Sequence, residues 1–398
     1  MRFLSKREMH KKSSQHFLVL DIGTTGIKSL VFDARLNVRA RSYRPLVSGA
    51  PKRGWVEQNP SDLVRLSVQT MREAVKKSGV LARSIVSWGM TNQRETVILW
   101  DAQTGRPVYP AIVWKDERTA KACERLGRAH ERWVREKTGL SLIPYFSASK
   151  IQWVLRHVPQ CGVLLAQSRL RAGTVDSWIA WNLLHGQPHV TDITNASRTL
   201  LYNIRLLEWD HELLAFFDIP KSILPIVHPS GHRFGVLSKD ILGREIPLRG
   251  ILGDQQASMV AAGVRKGSTK VTCGTGTFLM QVGGSRMRVF DGLFTTLVPH
   301  GKNAWYAVEE KVPMYGAQIE RILKKSNQLE KELFRFAQAI DRGLKRLPIR
   351  PRSLAMDGGV TRDGILAQFQ RRVSAIPIRQ HPVFDGTAYG VAKFLRDM

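Results

Sequence analysis

The fold is decided by the stretch from Phe17 to Phe32, FLVLDIGTTGIKSLVF. Its two apolar ends, residues 17–20 and 29–32, are predicted as strands that pair as a hairpin. Between them, Asp21 is followed by glycines and threonines, and the turn ends at Lys28. Glycines let backbone N–H groups approach an anion closely, while the hydroxyl groups and the lysine add donors and positive charge. The stretch therefore predicts a phosphate-binding turn in which Asp21 would hold Mg²⁺, directly or through water.

A second stretch, residues 270–280, has the same plan: an apolar strand, a Gly/Thr turn (Gly274-Thr275-Gly276) and another apolar strand. Neither turn matches the GxGxxG or the P-loop pattern, which argues against Rossmann and P-loop folds. Two similar hairpins about 250 residues apart indicate an internal repeat. We expect two related α/β domains facing each other across a cleft, over residues 17–248 and 249–398, after a flexible basic extension over residues 1–16.

An amphipathic helix is predicted over residues 61–77. Leu63, Leu66 and Met71 fall on one face at helical spacing, which indicates the side that packs against the core. Pro60 precedes Ser61, and we expect the Ser61 hydroxyl to be the N-cap of this helix.

Two groups of polar residues follow apolar strands. Residues 92–95 end in Arg94 and Glu95, and buried polar groups are tolerated only when they are paired. This pair is therefore either a structural ion pair or faces a polar ligand. Asp254 also follows an apolar strand, where it is placed for general-base work on a substrate hydroxyl or for capping the helix that starts at Gln255.

The charge is strongly positive, with 61 Lys and Arg against 33 Asp and Glu, a net +28. Such a balance favours polyanionic partners such as nucleotides, nucleic acid or anionic membranes. The basic residues are scattered over predicted helices without an aromatic-basic RNA motif, which disfavours nucleic acid and favours a solvated basic surface. Three cysteines without paired spacing predict neither disulfides nor a zinc motif and fit a reducing cytoplasm. No apolar run approaches the length of a membrane span.

These residues together resemble the FGGY carbohydrate kinases over most of the chain from Phe17 onward. Besides the Asp21 turn, the resemblance rests on these ordered motifs: GWVE at 54–57, TNQRET at 91–96, AIVW at 111–114, PYFS at 144–147, GTVD at 173–176, TDITNASRT at 191–199, GDQQ at 253–256, GTG at 274–276 and DGG at 357–359. It implies an α/β fold of two actin-like, ribonuclease H-type domains around a central cleft. It also implies a cytoplasmic enzyme that uses ATP and Mg²⁺ to phosphorylate glycerol, or a similar small polyol, giving sn-glycerol 3-phosphate and ADP. A homo-oligomer is left open.

The resemblance implies residue roles as well. Asp254 would be the catalytic base that takes the proton from the attacking hydroxyl, and Asp21 would serve Mg²⁺. The polyol-binding set would be Arg94, Glu95, Trp114, Tyr145, Asp254, Gln255 and Phe278. The nucleotide-binding set would be Gly23, Thr24, Thr25, Lys28, Gly274, Thr275, Gly316, Gly358 and Gly359.

This chain departs from the family pattern on the side that the resemblance assigns to ATP. Lys28 stands where the family has arginine, which keeps the charge and loses the planar fork. Glu310 adds negative charge near the expected nucleotide, and Glu320 and Asp363 replace amides. Between residues 319 and 357 a long strand-containing segment of the family is reduced to a short basic helical stretch, and we expect this to weaken the sheet under the ATP site.

Two alternatives to an active kinase follow from the departures and the charge. The first is a homologue that binds polyol or nucleotide with impaired catalysis. The second is a basic protein that binds nucleic acid or an anionic membrane through residues 319–352 and the N-terminal extension. Strongly salt-dependent association would be the sign of the second.

Overall fold

The computed structural model describes residues 15–274, 276–301, 303–312, 329–361, 364–380 and 385–398. They form two compact units. The first ends at Asp254 and includes Val391–Met398, and the second is Gln255–Gly390. The chain therefore passes from the first unit to the second after Asp254. The boundary expected at residue 248 stays a prediction. Of the predicted extension, residues 1–14 lie outside the described part.

The first unit is a mixed α/β structure. Its strands are β1 (His16–Ile22), β2 (Gly26–Asp33), β3 (Val38–Pro45), β4 (Glu57–Gln58), β5 (Ile85–Asn92), β6 (Val97–Asp101), β7 (Ala111–Ile112), β8 (Leu170–Thr174), β9 (Val190–Asp192), β10 (Tyr202–Asn203), β11 (Glu208–Trp209), β12 (Ile226–His228), β13 (Gly235–Val236) and β14 (Pro247–Gly253). Its helices are α1 (Pro60–Ser78), α2 (Ala120–Thr138), α3 (Ser147–His157), α4 (Gln160–Ala166), α5 (Val175–Leu183), α6 (Ile193–Ala196), α7 (His211–Phe216) and α8 (Lys239–Leu242).

The main sheet of the first unit has the order β13-β14-β5-β1-β2-β3. The predicted hairpin is confirmed, because β1 pairs antiparallel with β2 over residues 16–33. Strands β5 and β14 extend the sheet in parallel with β1, and their register places Ile22, Asn92 and Gly253 side by side. The polar segments that follow Ile22, Asn92 and Gly253 therefore all leave the sheet at the same edge.

Helix α1 packs its apolar face on this sheet. Leu63, Leu66 and Met71 are buried, as their spacing predicted. The N-cap prediction was wrong: Asn59 caps the helix, and its side-chain oxygen accepts from the backbone N–H of Ser61 at 2.9 Å. Pro60 occupies the first helical position, where its missing N–H costs nothing, so the cap is the residue before it.

The second unit repeats this topology. Its strands are β15 (Thr269–Cys273), β16 (Thr277–Gly284), β17 (Phe294–His300), β18 (Asn303–Val312), β19 (Leu354–Asp357) and β20 (Ile378–Gln380). Strands β15, β16 and β18 are antiparallel neighbours, and β17 adds to the outer side of β18. On the other side, β19 pairs in parallel with β15, and β20 pairs in parallel with β19. The first unit has the same pattern in β1, β2, β3, β5 and β14. The shared topology confirms the two related α/β domains that the internal repeat predicted, and it is that of the duplicated ribonuclease H-type fold that the resemblance implied.

Four helices are described on or beside the second sheet: α9 (Asp254–Ala262), α10 (Leu329–Arg346), α11 (Ile365–Val373) and α12 (Gly386–Asp397). Helix α9 starts in the first unit, and α12 ends in it. Across the described ranges, no helix is long and apolar enough to cross a membrane.

Although the segment between residues 319 and 357 is shortened, the described sheet of the second unit contains all five strands of the pattern shared with the first unit. Helix α10 lies within this segment and buries Leu333, Phe336 and Ile340 in the core of the second unit. Glu310, which we expected near the nucleotide, is buried and pairs with Arg346 at the end of this helix. The helix thus supplies both the apolar cover of the sheet and the counter-charge for a buried carboxylate.

Candidate active site

The Asp21 turn is fixed by hydrogen bonds to neighbouring segments. Gln93 donates its backbone N–H to the carbonyl of Ile22 at 2.8 Å, and the Gln58 amide donates to the carbonyl of Thr24 at 2.8 Å. Lys28 lies opposite Asp21 in the β1–β2 register, with its Nζ 3.5 Å from Oδ2. Gly23, Thr24 and Thr25 form the tip, so their backbone groups are held in place before any ligand binds.

A buried arginine connects two of the polar segments at this sheet edge. Arg94 Nε lies 3.1 Å from Asp254 Oδ1 and 3.8 Å from Glu95 Oε1. The Arg94 and Glu95 side chains are almost fully buried, whereas that of Asp254 is 32% exposed. Arg94 is therefore paired internally, as one of the two alternatives anticipated, and its partners include Asp254, 160 positions further along the chain. That carboxylate keeps an accessible face.

Glu95 is held from a side that sequence reasoning missed. Arg198 donates from Nε to Glu95 Oε1 at 2.7 Å, and its side chain is fully buried. Glu95 itself has a φ of 62°, and its carbonyl accepts from the Ser147 hydroxyl at 3.2 Å. A non-glycine residue in the left-handed region is uncommon and is held by its surroundings. The signal for Arg198 was its place in the motif at 191–199.

An aromatic wall stands beside this cluster. The rings of Trp114 and Tyr145 meet edge to face at 5.5 Å between centroids. Trp114 donates from Nε1 to the Thr24 hydroxyl at 2.8 Å, which links the wall to the Asp21 turn. An apolar face beside hydrogen-bonding groups suits a small polyol. The carbon backbone of such a ligand can lie against the rings while its hydroxyl groups bind the polar side chains.

A buried lysine lies under Tyr145. Lys150, on α3, donates from Nζ to the carbonyls of Tyr145 at 2.7 Å and of Pro144 at 3.2 Å. Burial lowers the pKa of this amine to about 7, against the opposing field of Glu95. The lysine fixes the backbone that carries the Tyr145 ring, and no sequence motif signalled it.

The segment before Asp254 is fixed by a chain of hydrogen bonds. The backbone N–H of Gly253 donates to Thr194 Oγ1 at 2.8 Å, and that hydroxyl donates to Asp192 Oδ2 at 2.7 Å. Asp192 is fully buried and also accepts from the Ser230 hydroxyl at 2.6 Å. Asp254 is itself the first residue of α9 rather than a cap before Gln255.

The predicted residues of the second unit gather at one edge of its sheet. Gly274 follows β15, and β19, which precedes Gly358, runs parallel to it with Thr272 opposite Asp357. A Cβ on Gly358 would lie 2.4 Å from the carbonyl oxygen of Cys273, and its φ is +100°, so only glycine fits there. Gly359 begins the turn that follows.

Gln255 and Phe278, predicted on the polyol side, also lie in the second unit. The buried Lys270 donates from Nζ to Gln255 Oε1 and to the Thr272 hydroxyl. Phe278 is buried on β16, with its ring against Gly276. Four residues of the sequence predictions lie outside the described part: Thr275, Gly316, Glu320 and Asp363.

The Asp21 carboxylate fits the expected role toward Mg²⁺. Among the described residues, no three His, Cys, Asp or Glu side chains form a metal-binding group. Mg²⁺ is commonly held by one or two carboxylates, with water and substrate phosphates completing its shell. A single carboxylate, 5% exposed, at the end of a strand and just before a Gly/Thr turn suits that mode.

Comparison with protein families matches residues 16–261 to the N-terminal domain of the FGGY family of carbohydrate kinases. Glycerol kinase of Aquifex aeolicus is 46% identical over 307 residues, which are 76% of this chain and 62% of that protein. Glycerol kinase of Koribacter versatilis is 34% identical over 439 aligned positions, covering 95% of this chain and 88% of that protein. The match thus spans about 62% of the first relatives' length.

Solved structures resemble the fold over nearly its whole length. Glycerol kinase of Plasmodium falciparum, solved with ADP, has a TM-score of 0.85 at 26% identity and covers 95% of this chain and 88% of its own. A xylulose kinase of Lactobacillus acidophilus has a TM-score of 0.80 at 16% identity, covering 96% of this chain and 89% of its own, and shows the fold alone.

Proposed function

The chain belongs to the FGGY family of carbohydrate kinases, and on that premise we propose that it transfers the γ-phosphoryl group of ATP to glycerol. The products would be sn-glycerol 3-phosphate and ADP. The observation that carries this proposal is the Arg94–Asp254 ion pair at 3.1 Å, in which a fully buried arginine aims a carboxylate that stays one-third exposed. The relatives named glycerol kinase support the choice of polyol.

In this mechanism Asp254 is the general base. Its carboxylate takes the proton of a terminal hydroxyl as that oxygen forms a bond to the γ-phosphorus, and the bond to the β-phosphate oxygen breaks. Arg94 contacts Oδ1 of this carboxylate at 3.1 Å, and about one-third of the Asp254 side chain stays exposed, so a substrate hydroxyl could approach it. Proton transfer from a positioned side chain contributes about 10²–10⁴-fold to rate.

The polyol would bind between hydrogen-bonding and apolar surfaces. Glu95 would accept from a second hydroxyl, and Arg198 fixes the direction of that carboxylate. The rings of Trp114 and Tyr145 would cover the carbon backbone. A buried carboxylate of this kind discriminates strongly against a ligand that lacks the matching hydroxyl. Without that hydroxyl, the carboxylate lacks one of its hydrogen bonds.

The phosphates of ATP would be held by backbone groups rather than by a P-loop. We assign Gly23, Thr24 and Thr25 to this role in the first unit, and Gly274, Gly358 and Gly359 in the second. Mg²⁺, held near Asp21, would supply neutralisation of the phosphate charge. Phosphoryl transfer depends mainly on such positioning and charge neutralisation. A cytoplasmic location, where ATP is supplied, belongs to the same proposal.

A coupled ADP-release assay with Mg-ATP and glycerol tests the proposal. Asp254→Asn should lower kcat by about 10²-fold or more, while calorimetry still detects glycerol binding. Asp240→Asn makes the same chemical change on an exposed helix and should leave kcat unchanged. Glycerol-dependent turnover that survives Asp254→Asn would remove Asp254 as the base.

One observation favours a second candidate, a homologue with impaired catalysis: the chain matches only about 62% of the first relatives' length. Its signature would be cooperative melting and measurable glycerol binding without glycerol-dependent ADP release. If the protein showed neither glycerol binding nor glycerol-dependent ADP release, salt-sensitive association with DNA or RNA would favour the basic binding protein.

A further inference from the structure

A cavity of about 400 Å³ lies in the second unit, away from the loops assigned to nucleotide. Its lining includes Lys266, three residues before the start of β15, and Gly284, the last residue of β16. Gly274 follows the opposite end of β15, five residues or about 16 Å along the strand. The cavity therefore belongs to the other edge of the sheet, and its role is separate from the proposed reaction.

Three cations surround this cavity. Lys266, Arg286 and Arg288 line it and are exposed, and none of them forms an ion pair with an acid in the described part of the chain. None of the described lining residues carries a carboxylate. Like charges gathered without a counter-charge repel one another, and a bound anion relieves that repulsion. Two of the three are arginines, whose planar fork matches phosphate oxygens.

An aromatic surface forms the other wall. Phe290, Trp305 and Tyr306 line the cavity, and Trp305 stacks on His300 at 3.6 Å between centroids. Aromatic side chains of this kind bind flat rings by stacking, with little dependence on the ring's identity. The cavity thus offers charge for a phosphate and a face for a planar group.

The walls are fixed by hydrogen bonds within the unit. Gln281 donates to the carbonyl of Ile349 at 2.7 Å and accepts from its N–H at 3.1 Å. The Thr295 hydroxyl donates to the carbonyl of Arg288 at 2.6 Å. A Cβ on Gly284 would lie 3.7 Å from Lys266 Cδ, so the lysine stem already rests over that glycine. These contacts order the backbone of the walls, which lowers the entropy that binding costs.

We propose that this cavity is a binding site for a small phosphate ester that carries a planar ring. Its volume lies within the range of small-molecule sites, about 300–1,000 Å³. The three cations take the phosphate, and the aromatic wall takes the ring. A nucleic-acid strand would need a basic track over several nucleotides, whereas these cations surround a single compartment.

Isothermal titration calorimetry with phenyl phosphate and with inorganic phosphate tests the site. The wild-type protein should bind phenyl phosphate saturably and more tightly than inorganic phosphate, because only the former has a ring. Lys266→Ala and Arg286→Ala should each weaken phenyl phosphate about fivefold or more. Arg265→Ala is the matched control: it removes the same charge one position away, from a residue that does not line the cavity. Trp305→Ala should remove the preference for the ring.

Each outcome decides the question. The site would be supported if Lys266→Ala and Arg286→Ala bind phenyl phosphate more weakly while Arg265→Ala binds it as the wild type does. All three variants should also melt cooperatively. Equal losses in all three variants would mean attraction by the overall charge, and no saturable binding would mean no site; either result overturns the proposal. A single-stranded oligonucleotide that binds more tightly than phenyl phosphate and loses affinity in the same variants would overturn it in favour of nucleic acid. Glycerol-dependent turnover is not needed for any of these measurements, so failure of the kinase proposal would be seen separately.

Discussion

Thr194→Val is the substitution that best tests how the fold positions Asp254. Valine keeps the shape of threonine but has no hydroxyl. In the wild type that hydroxyl accepts from the buried N–H of Gly253 at 2.8 Å and donates to Asp192 at 2.7 Å. The change therefore leaves one buried backbone donor without its acceptor and takes one donor from a buried carboxylate.

The expected cost follows from these two losses. A buried donor left unsatisfied costs about 1–3 kcal/mol, and a hydrogen bond to a charged group contributes about 1.5–3 kcal/mol. Asp192 keeps its bonds from the Ser230 hydroxyl and the Asn195 N–H, which limits the second term. We expect the free energy of unfolding to fall by about 3 kcal/mol. Because the freed N–H belongs to the residue before Asp254, a shift of about 1 Å at the base should lower kcat by about 10²-fold.

The assay measures kcat and KM for glycerol by coupled ADP release, together with urea denaturation. Thr194→Ser is the control, because it keeps the hydroxyl and both hydrogen bonds and loses only a methyl group. We expect Thr194→Ser to retain most of kcat, and Thr194→Val to lose kcat with a smaller change in KM. A Thr194→Val protein that melts cooperatively and keeps kcat within about twofold of wild type would refute this account.

Three further substitutions probe the second unit and the buried lysine. Arg346→Ala should lower the free energy of unfolding by about 2–3 kcal/mol, since Glu310 would stay buried without its partner, as urea denaturation would measure. Gly358→Ala should cost about 3 kcal/mol or more, because the methyl group would overlap the Cys273 backbone at a φ of +100°. Lys150 has a folded-state pKa of about 7 against 10.5 for the ordinary amine, so between these values only the unfolded chain binds the proton. The free energy of unfolding of the wild type, relative to Lys150→Met, should therefore rise by about 3 kcal/mol between pH 7 and 9.5.

Matched controls accompany these predictions. Lys345→Ala removes an exposed charge beside Arg346, and should change stability by less than about 0.5 kcal/mol. Gly359→Ala adds the same methyl group where no atom lies within 4 Å, and should be tolerated. A Gly358→Ala protein as stable as Gly359→Ala, or a pH-independent difference for Lys150→Met, would contradict the corresponding prediction.

Local pattern was enough to predict the elements that carry the turns. The hairpin around Asp21 and the second hairpin around Gly274 were read from apolar strands flanking Gly/Thr turns, and both are present. The buried face of α1 followed from helical spacing. The Ser61 cap was wrong because Asn59, the residue before proline, competes for the same role and has the better position.

The sequence by itself determined the strand–turn–strand units, their duplication, and the residue types that the resemblance assigns to polyol and phosphate. Only the tertiary structure decided which of these side chains meet. Arg94 reaches Asp254, Arg198 reaches Glu95, and Thr194 holds Gly253. Partners so far apart in the chain are joined by parallel strands through long crossovers, and their register depends on packing across the whole sheet rather than on any local pattern.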